Sequence, residues 1–442
     1  MDKATPAHPG HIAGTAATRA PADGDDVLVL VDSDYADTPY DLWSAEAGVR
    51  PSLLVSAHRY PQYRHVPGAR PFTGYGTDGE VERAALAGAP TTVVARAEAD
   101  VLRAARLREV LGVPGQDFAS ALAFRDKVLM KSLLRERGVA VPEFAPVRIP
   151  LDLLAFVREH PYPVVVKPAF GSGSTGTRVL RDDADLAALL AAGLPEHPQV
   201  ERFVEGAMYV VDGLVVAGEP RAVFVSRYLN DCLSYREGAH LGAVQLTRDD
   251  PLVDRLAAYA RHVLGVLPTP RCTAFHLEVF RTPEDELVLC EVASRTGGAL
   301  TTAAVRAATG FDLDREWFLA QVRGSAHPVR EVTGAAPGRS AAWAVFYPES
   351  GTLEELPSGA PPFVVEQRVR GTVGGQYEGG EKSGVYLAGY VVTGEDADEA
   401  GRRVGELAEW YAASVRWSGD PGTGPGAGLR GIGGPPGKNE EQ

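Results

Sequence analysis

The chain has 442 residues, 45% of them hydrophobic and 23% charged, with a formal net charge of −14. That length exceeds one simple core and implies two to four domains, while the acidic balance disfavours generic binding to nucleic acid or anionic membranes. Three cysteines without paired spacing (Cys232, Cys272 and Cys290), no run long enough to span a bilayer and no apolar signal core lead us to expect a protein of the reducing cytoplasm.

Residues 1–24 are rich in Ala, Pro, Gly and Thr without periodicity, and a disordered leader is expected there. Asp26–Val31, Leu53–Ser56 and Thr91–Ala95 read as short apolar strands separated by helical segments, which predicts a small parallel α/β domain. Asp32-Ser-Asp34 follows the first strand but lacks the glycine fingerprint of a dinucleotide site. Glu98–Leu111 predicts a helix closed by Gly112-Val-Pro-Gly115, and Phe124-Arg-Asp-Lys127 opens another that stops at Gly138. Tyr162–Pro168 is a buried strand that ends on Lys167 and runs into Ala169–Thr177. The three glycines and four hydroxyl residues of that loop can wrap phosphate oxygens with backbone N–H groups. The lysine precedes the glycines, so the order is not that of a Walker loop. Only six of the 44 basic residues are Lys (Lys3, Lys127, Lys131, Lys167, Lys382 and Lys438), which suggests that a Lys in a folded segment serves as a compact point charge.

Asp185–Ala192 predicts a helix. Gln199–Gly206 follows as a strand and turn, and Met208–Gly218 with Arg221–Arg227 as an antiparallel pair. Leu229–Gln245 reads as irregular and polar, a candidate substrate loop carrying Tyr235, Arg236 and His240. Pro251–Leu264 is a helix with one apolar face. Ala299–Ala308 is another, and its N-terminus beside Gly297-Gly298 suits an anion. Strands at Ala341–Tyr347, Phe363–Val369 and Gly384–Thr393 and a helix at Ala397–Trp410 form a C-terminal lobe. The Gly- and Pro-rich residues 418–442 are expected to be a disordered tail.

Between those helices lie two strands, Phe275–Phe280 and the segment starting at Leu287, joined by Thr282-Pro-Glu-Asp-Glu286. Alternation puts His276, Glu278 and Phe280 on one face, and Leu287, Leu289, Glu291 and Arg295 on one face of the second strand. A hairpin with loop Pro283–Glu286 sets Glu278 opposite Glu291. Directly opposed carboxylates repel unless a cation lies between them or one is protonated. Few hard oxygen ligands suit Mg²⁺. Arg295 adds a positive fork, and Gly297-Gly298 allows close backbone approach.

Phe124-Arg-Asp-Lys127 with Met130-Lys131, Val165-Val-Lys-Pro168, Gly171–Gly176, Val200–Gly206, His276-x-Glu278 and Glu291-x-x-x-Arg295 stand in an order that resembles the ATP-grasp superfamily over residues 25–415. The pattern is most similar to its carboxylate–amine ligase branch, which includes bacterial L-amino-acid ligases. The resemblance implies an α/β fold with α+β lobes. It divides the chain into an N-terminal parallel α/β domain (25–115), a first ATP-clasping lobe with the Gly-rich loop (116–205), a catalytic lobe (206–330) and a C-terminal lobe (331–417). It implies that Lys127 and Lys167 contact ATP phosphates, that Glu201 and the backbone of Arg202, Phe203 and Val204 hold the adenine, and that Gly171, Ser172, Gly173, Ser174, Thr175 and Gly176 close over the triphosphate. Glu278 and Glu291 would bind Mg²⁺, with Mn²⁺ as an alternative, and Arg295 would stabilise the transferring phosphoryl group. His276 is a candidate for orienting an acyl phosphate, and Gly297 and Gly298 for substrate contact.

The implied reaction joins a small-molecule carboxylate and an amine, with no nucleic-acid or membrane partner and a homodimer left open. Carboxylation, small-metabolite phosphorylation and nucleotide binding without turnover are the alternatives. Two positions depart from the family pattern: Met208 replaces an acid that contacts ribose, and Ala293 replaces an Asn ligand.

Overall fold

The computed structural model describes residues 24–74, 78–230, 239–380 and 384–418. The expected leader and tail lie outside these residues except for Gly24 and Ser418, as do Cys232, Tyr235 and Arg236. Among the described residues no helix is long and apolar enough to cross a membrane.

Asp26–Val31 (β1), Arg50–Ser56 (β2), Arg70–Phe72 (β3) and Thr92–Ala95 (β4) form a parallel sheet in the order β3-β2-β1-β4. Five consecutive residues of β1 are buried, as expected of a strand covered on both faces. Phe144–Pro146 (β5), Val164–Pro168 (β6), Arg178–Leu180 (β7) and Pro198–Arg202 (β8) form a second, antiparallel sheet in the order β5-β8-β6-β7.

The largest sheet contains Ala207–Val216 (β9), Glu219–Tyr228 (β10), Leu241–Gln245 (β11), Thr273–Arg281 (β12) and Leu287–Ala293 (β13). It continues with Val332–Thr333 (β14), Ser340–Phe346 (β15), Val364–Val369 (β16) and Ala388–Gly394 (β17). The order is β13-β12-β9-β10-β11-β15-β17-β16, with β14 on β10, so one sheet extends from the hairpin to the C-terminal strands. Leu241–Gln245, expected to be part of a polar loop, is a wholly buried strand between β10 and β15. Its two strand neighbours satisfy a backbone whose side chains (Leu, Gly, Ala, Val, Gln) gave no clear alternation.

Lys127–Glu136 (α1) and Pro251–Val266 (α2) flank one face of this sheet. Val211, Val223, Val225, Phe275, Leu277 and Val279 point there and pack with Val253, Leu256, Ala260 and Val263 of α2. Thr301–Thr309 (α3) and Leu313–Arg323 (α4) lie on the other side. There Leu214, Val216, Phe224 and Ala274 join α4 and the N-terminal sheet in a single core. Along β12 this second face changes from apolar Ala274 to polar His276 and Glu278, and the change marks where the core gives way to a cavity.

Gly213 sits mid-strand in β9, opposite Phe275 of β12. A Cβ there would lie 2.2 Å from the Ala222 carbonyl oxygen and 2.5 Å from the Phe275 ring. Gly213→Ala is therefore expected to destabilise the protein by about 1–3 kcal/mol through overpacking. Thermal denaturation would show this as a lower melting temperature.

Candidate active site

The hairpin β12–β13 pairs His276 with Ala293, Leu277 with Val292 and Glu278 with Glu291, then slips. Beyond the slip Val279 pairs with Leu289, so Cys290 is an extra residue in β13. The bulge corrects one expectation. Leu287 and Leu289 do not share a face with Glu291: both pack into the apolar core, while Cys290 and Glu291 line the cavity. Glu278 and Glu291 are nevertheless opposite, because the bulge lies on the turn side of that pair. Ligand atoms of Glu278, Cys290 and Glu291 all fall within 4.8 Å of one another. Two facing carboxylates at the wall of a cavity fit a small hard cation such as Mg²⁺.

Asp126 caps α1 by accepting from the backbone N–H groups of Val128 and Leu129, which makes Lys127 the first helical residue. Lys127 Nζ donates to the Gly171 carbonyl at 2.7 Å and lies 3.2 Å from Glu291. Burial alone would raise the Glu291 carboxyl, but the charges of Lys127 and Lys167 overcome it and hold it down to about 2. One turn along α1, fully buried Lys131 forms an ion pair with Glu201. Lys167, at the end of β6, reaches the other oxygen of Glu201 at 2.6 Å and lies 3.9 Å from Cys290 Sγ. Glu201 is thus clamped between two lysines. Burial raises its carboxyl and the two ammonium groups lower it further, so it stays ionised. Burial lowers the Lys131 ammonium against the pull of Glu201. Burial likewise opposes the charge of Lys167, but Cys290, Glu201 and Glu291 raise it well above its ordinary value. Burial pushes the Cys290 thiol up to about 12, so at neutral pH the two carboxylates hold Lys167 charged.

The sequence assigned no role to Lys131, although its rarity and its i+4 spacing from Lys127 pointed to this face. Lys131→Met is expected to destabilise the protein by about 3–5 kcal/mol, because it removes one partner of a buried pair. Urea denaturation monitored by circular dichroism would measure it.

Arg295 follows the end of β13. It pairs with Glu98 and donates to the Thr296 carbonyl at 2.8 Å. Glu98 also accepts from Arg125 Nη1 at 2.6 Å, and Arg125 donates to the Phe170 carbonyl at the base of the Gly-rich loop. Sequence reasoning missed Glu98: it read as the first residue of a helix, and nothing local distinguished it. Arg96 joins Asp314 of α4 at 2.6 Å and Thr296 Oγ1 at 2.8 Å, and so fixes the segment after Arg295. α3 begins at Thr301, two residues later than expected, where the Thr301 N–H donates to the Gly298 carbonyl. A Cβ on Gly297 would lie 2.7 Å from Asp212 Oδ1 and 2.8 Å from the Thr301 side chain, so only glycine fits.

His276 Nδ1 lies 2.8 Å from Asp212 Oδ1, and Nε2 lies 3.6 Å from Glu278 Oε1. Burial disfavours the imidazolium, but Asp212 and Glu278 overcome this and raise its pKa to about 10. Asp212 was also missed. A lone carboxylate inside an apolar strand was the available signal, since such a group needs a partner.

One cavity of about 960 Å³ is lined by Lys127, Lys167, Gly171, Ser172, Gly173, Ser174, Thr175, Glu201, Arg202, Phe203, Val204, His276, Glu278, Glu291, Arg295, Gly297 and Gly298. Gly176 is not among the lining residues; with φ +71° it turns against Pro168, where a Cβ would stand 3.0 Å from the ring. The cavity extends to Asp32, His58, Arg59 and Arg96, which follow the ends of β1, β2 and β4. His240, half-buried, instead lies beside Phe346 with ring centroids 5.7 Å apart.

Residues 126–212 match the family described as carbamoyl-phosphate synthase L chain, ATP binding domain. The fold is that of the ATP-grasp enzymes. The chain is 28% identical over 214 residues to an L-arginine-specific L-amino acid ligase of Bacillus subtilis, an alignment that covers 47% of this chain and 51% of the relative. The match thus spans about half the length of that relative. Among solved structures, an L-amino acid ligase from Bacillus licheniformis superposes with a TM-score of 0.69 at 15% identity, over 90% of this chain and 100% of that one. The biotin carboxylase domain of Hydrogenobacter thermophilus 2-oxoglutarate carboxylase, solved with MgADP and bicarbonate, superposes with a TM-score of 0.64 at 16% identity, over 90% and 92% of the two chains.

Proposed function

We propose that the protein is a cytoplasmic, ATP-dependent carboxylate–amine ligase that joins amino acids or related small molecules through an acyl phosphate. One observation carries the reading. Two opposed carboxylates, two buried lysines and an arginine fork converge on a single cavity beside a Gly- and Ser-rich loop. Two cysteines, Cys272 and Cys290, are free thiols, which suits a reducing compartment.

In this reading Lys127 and Lys167 bind phosphate oxygens, and Glu201 with the backbone of Arg202–Val204 holds the adenine. The two lysines on Glu201 fix its carboxylate and keep it an acceptor. Gly171–Thr175 close over the triphosphate; the Lys127 bond to the Gly171 carbonyl ties that loop to α1. Glu278 and Glu291 would hold Mg²⁺, or Mn²⁺, and the ion supplies charge neutralisation at the phosphates when bound.

A substrate carboxylate oxygen attacks the γ-phosphorus, the bond to the bridging oxygen breaks, and ADP leaves. Arg295, fixed by Glu98, faces the charge that spreads over the moving phosphoryl oxygens. Loop closure excludes water that would hydrolyse the acyl phosphate. The amine then attacks the acyl carbon, the carbon–oxygen bond to phosphate breaks, and the ammonium intermediate loses a proton to give the amide.

The test is ADP and phosphate release from ATP and Mg²⁺ with amino acids singly and in pairs, with product masses read in parallel. Release that needs two substrates, with a product mass equal to their sum minus water, is the expected result. Release with bicarbonate and one amine would make it a carboxylase, and release with one substrate alone a kinase. Nucleotide binding without release under any of these conditions would make it a binding protein.

A further inference from the structure

Asp212 lies in β9 directly beside His276 of β12, on the face that borders the cavity. Its side chain is fully buried. A carboxylate in that position needs a partner, and it holds His276 Nδ1 at 2.8 Å. Gly297 passes beside it without a side chain: a Cβ there would lie 2.7 Å from Oδ1. Its second oxygen, Oδ2, is buried with no hydrogen-bond partner among the described residues. When a cation takes the place of the Nε2 proton, the Nδ1 proton still points to Asp212, and the Nε2 lone pair is directed towards the ion and Glu278. Across the hairpin, the partner of His276 is Ala293, whose methyl group leaves room and offers no donor atom.

We propose that His276, backed by Asp212, is a metal ligand that shares Glu278 to form a second cation position, one that accepts a divalent first-row transition ion. The inference rests on the reading of Glu278 and Glu291 as metal-holding residues. His276 stands outside the tight group of Glu278, Cys290 and Glu291, so its ion is a neighbour of theirs, with Glu278 between. Two ligand atoms each about 2.1 Å from one ion lie about 3.0–3.5 Å apart in octahedral or tetrahedral geometry. The observed Nε2–Oε1 separation of 3.6 Å needs only a small adjustment. A carboxylate behind the far nitrogen is the usual support of a ligating histidine, fixing its tautomer and raising its basicity. An imidazole nitrogen also shifts preference away from Mg²⁺, which favours oxygen, towards transition ions.

The test uses the full chain with Mn²⁺ and ADP, read by electron spin-echo envelope modulation. The wild type should show directly coordinated imidazole nitrogen, and the coupling should change to that of ¹⁵N when histidine is ¹⁵N-labelled. It should bind two Mn²⁺ per chain. His276→Gln should remove the nitrogen coupling and one of the two ions. Asp212→Asn should keep the first ion and weaken the imidazole-bound one by about 10–100-fold. Mn²⁺ bound without imidazole coupling in the wild type, or coupling that survives in His276→Gln, overturns the proposal while leaving the ligase reading intact. No Mn²⁺ bound in any form overturns both. The wild-type labelling result decides the matter even if His276→Gln fails to fold.

Discussion

Glu291→Gln is expected to lower ADP formation by about a thousandfold while the protein stays folded. The amide keeps the size of the side chain but loses the anionic oxygens that face Glu278 and Lys127. In the wild type Glu291 is ionised far below neutral pH, because Lys127 and Lys167 outweigh its burial. At neutral pH it therefore presents a full charge, and the substitution removes all of it. Stability should change little. Directly opposed like charges on neighbouring strands destabilise a sheet, so neutralising one relieves Glu278. Against this, Lys127 loses a partner 3.2 Å away but keeps its bond to the Gly171 carbonyl. A coupled assay of ADP release, run beside a thermal melt, separates the two effects. Turnover near the wild-type rate with a normal melt would remove Glu291 from the metal-holding pair. Glu278→Gln should behave alike, since the two residues face each other in register.

Arg295→Ala is expected to reduce phosphoryl transfer by about a thousandfold and to leave ATP binding within a few-fold of wild type. In the proposed reading Lys127 and Lys167 still hold the phosphates, so binding has other anchors. What disappears is a fork aimed by Glu98, which joins the N-terminal α/β region to the hairpin. Glu98 would keep Arg125 at 2.6 Å, so the structural penalty should stay near 1–3 kcal/mol, roughly the loss of one buried charged hydrogen bond. Arg295→Lys should recover part of that stability without recovering the rate, because an ammonium lacks the planar fork. Calorimetric ATP titration and single-turnover phosphate release would measure the two properties separately. Phosphate release by Arg295→Ala at the wild-type rate would place Arg295 outside the chemistry.

Much of the candidate site was legible from local pattern. Lys167 was conspicuous because a charge ended an apolar strand immediately before a Gly-rich loop. Glu278 and Glu291 were set opposite each other by hairpin arithmetic alone. These signals are short-range: alternation, turn length and the solvation demand of a single charge all act within about ten residues. The same arithmetic failed one residue nearer the turn, where Val279 pairs with Leu289. A bulge at Cys290 is one extra residue whose position depends on what each face must meet, and here Leu289 is drawn into the core beneath α2 while Cys290 stays at the cavity. The strand Leu241–Gln245 was also hidden, because its order comes from β10 and β15 on either side and not from its own sequence.

By itself, then, the sequence determined which segments carry charge to a Gly- and Ser-rich loop and that two carboxylates would face each other. Tertiary structure alone decided what holds them in place. Glu98 meets Arg295 across 197 positions, Lys131 meets Glu201 across 70 and Asp212 meets His276 across 64. Each of these groups is buried or largely buried with a partner from a distant segment, because a charge taken out of water must be compensated by whatever the fold brings beside it. Such pairing is a property of packed surfaces, and no local pattern encodes it.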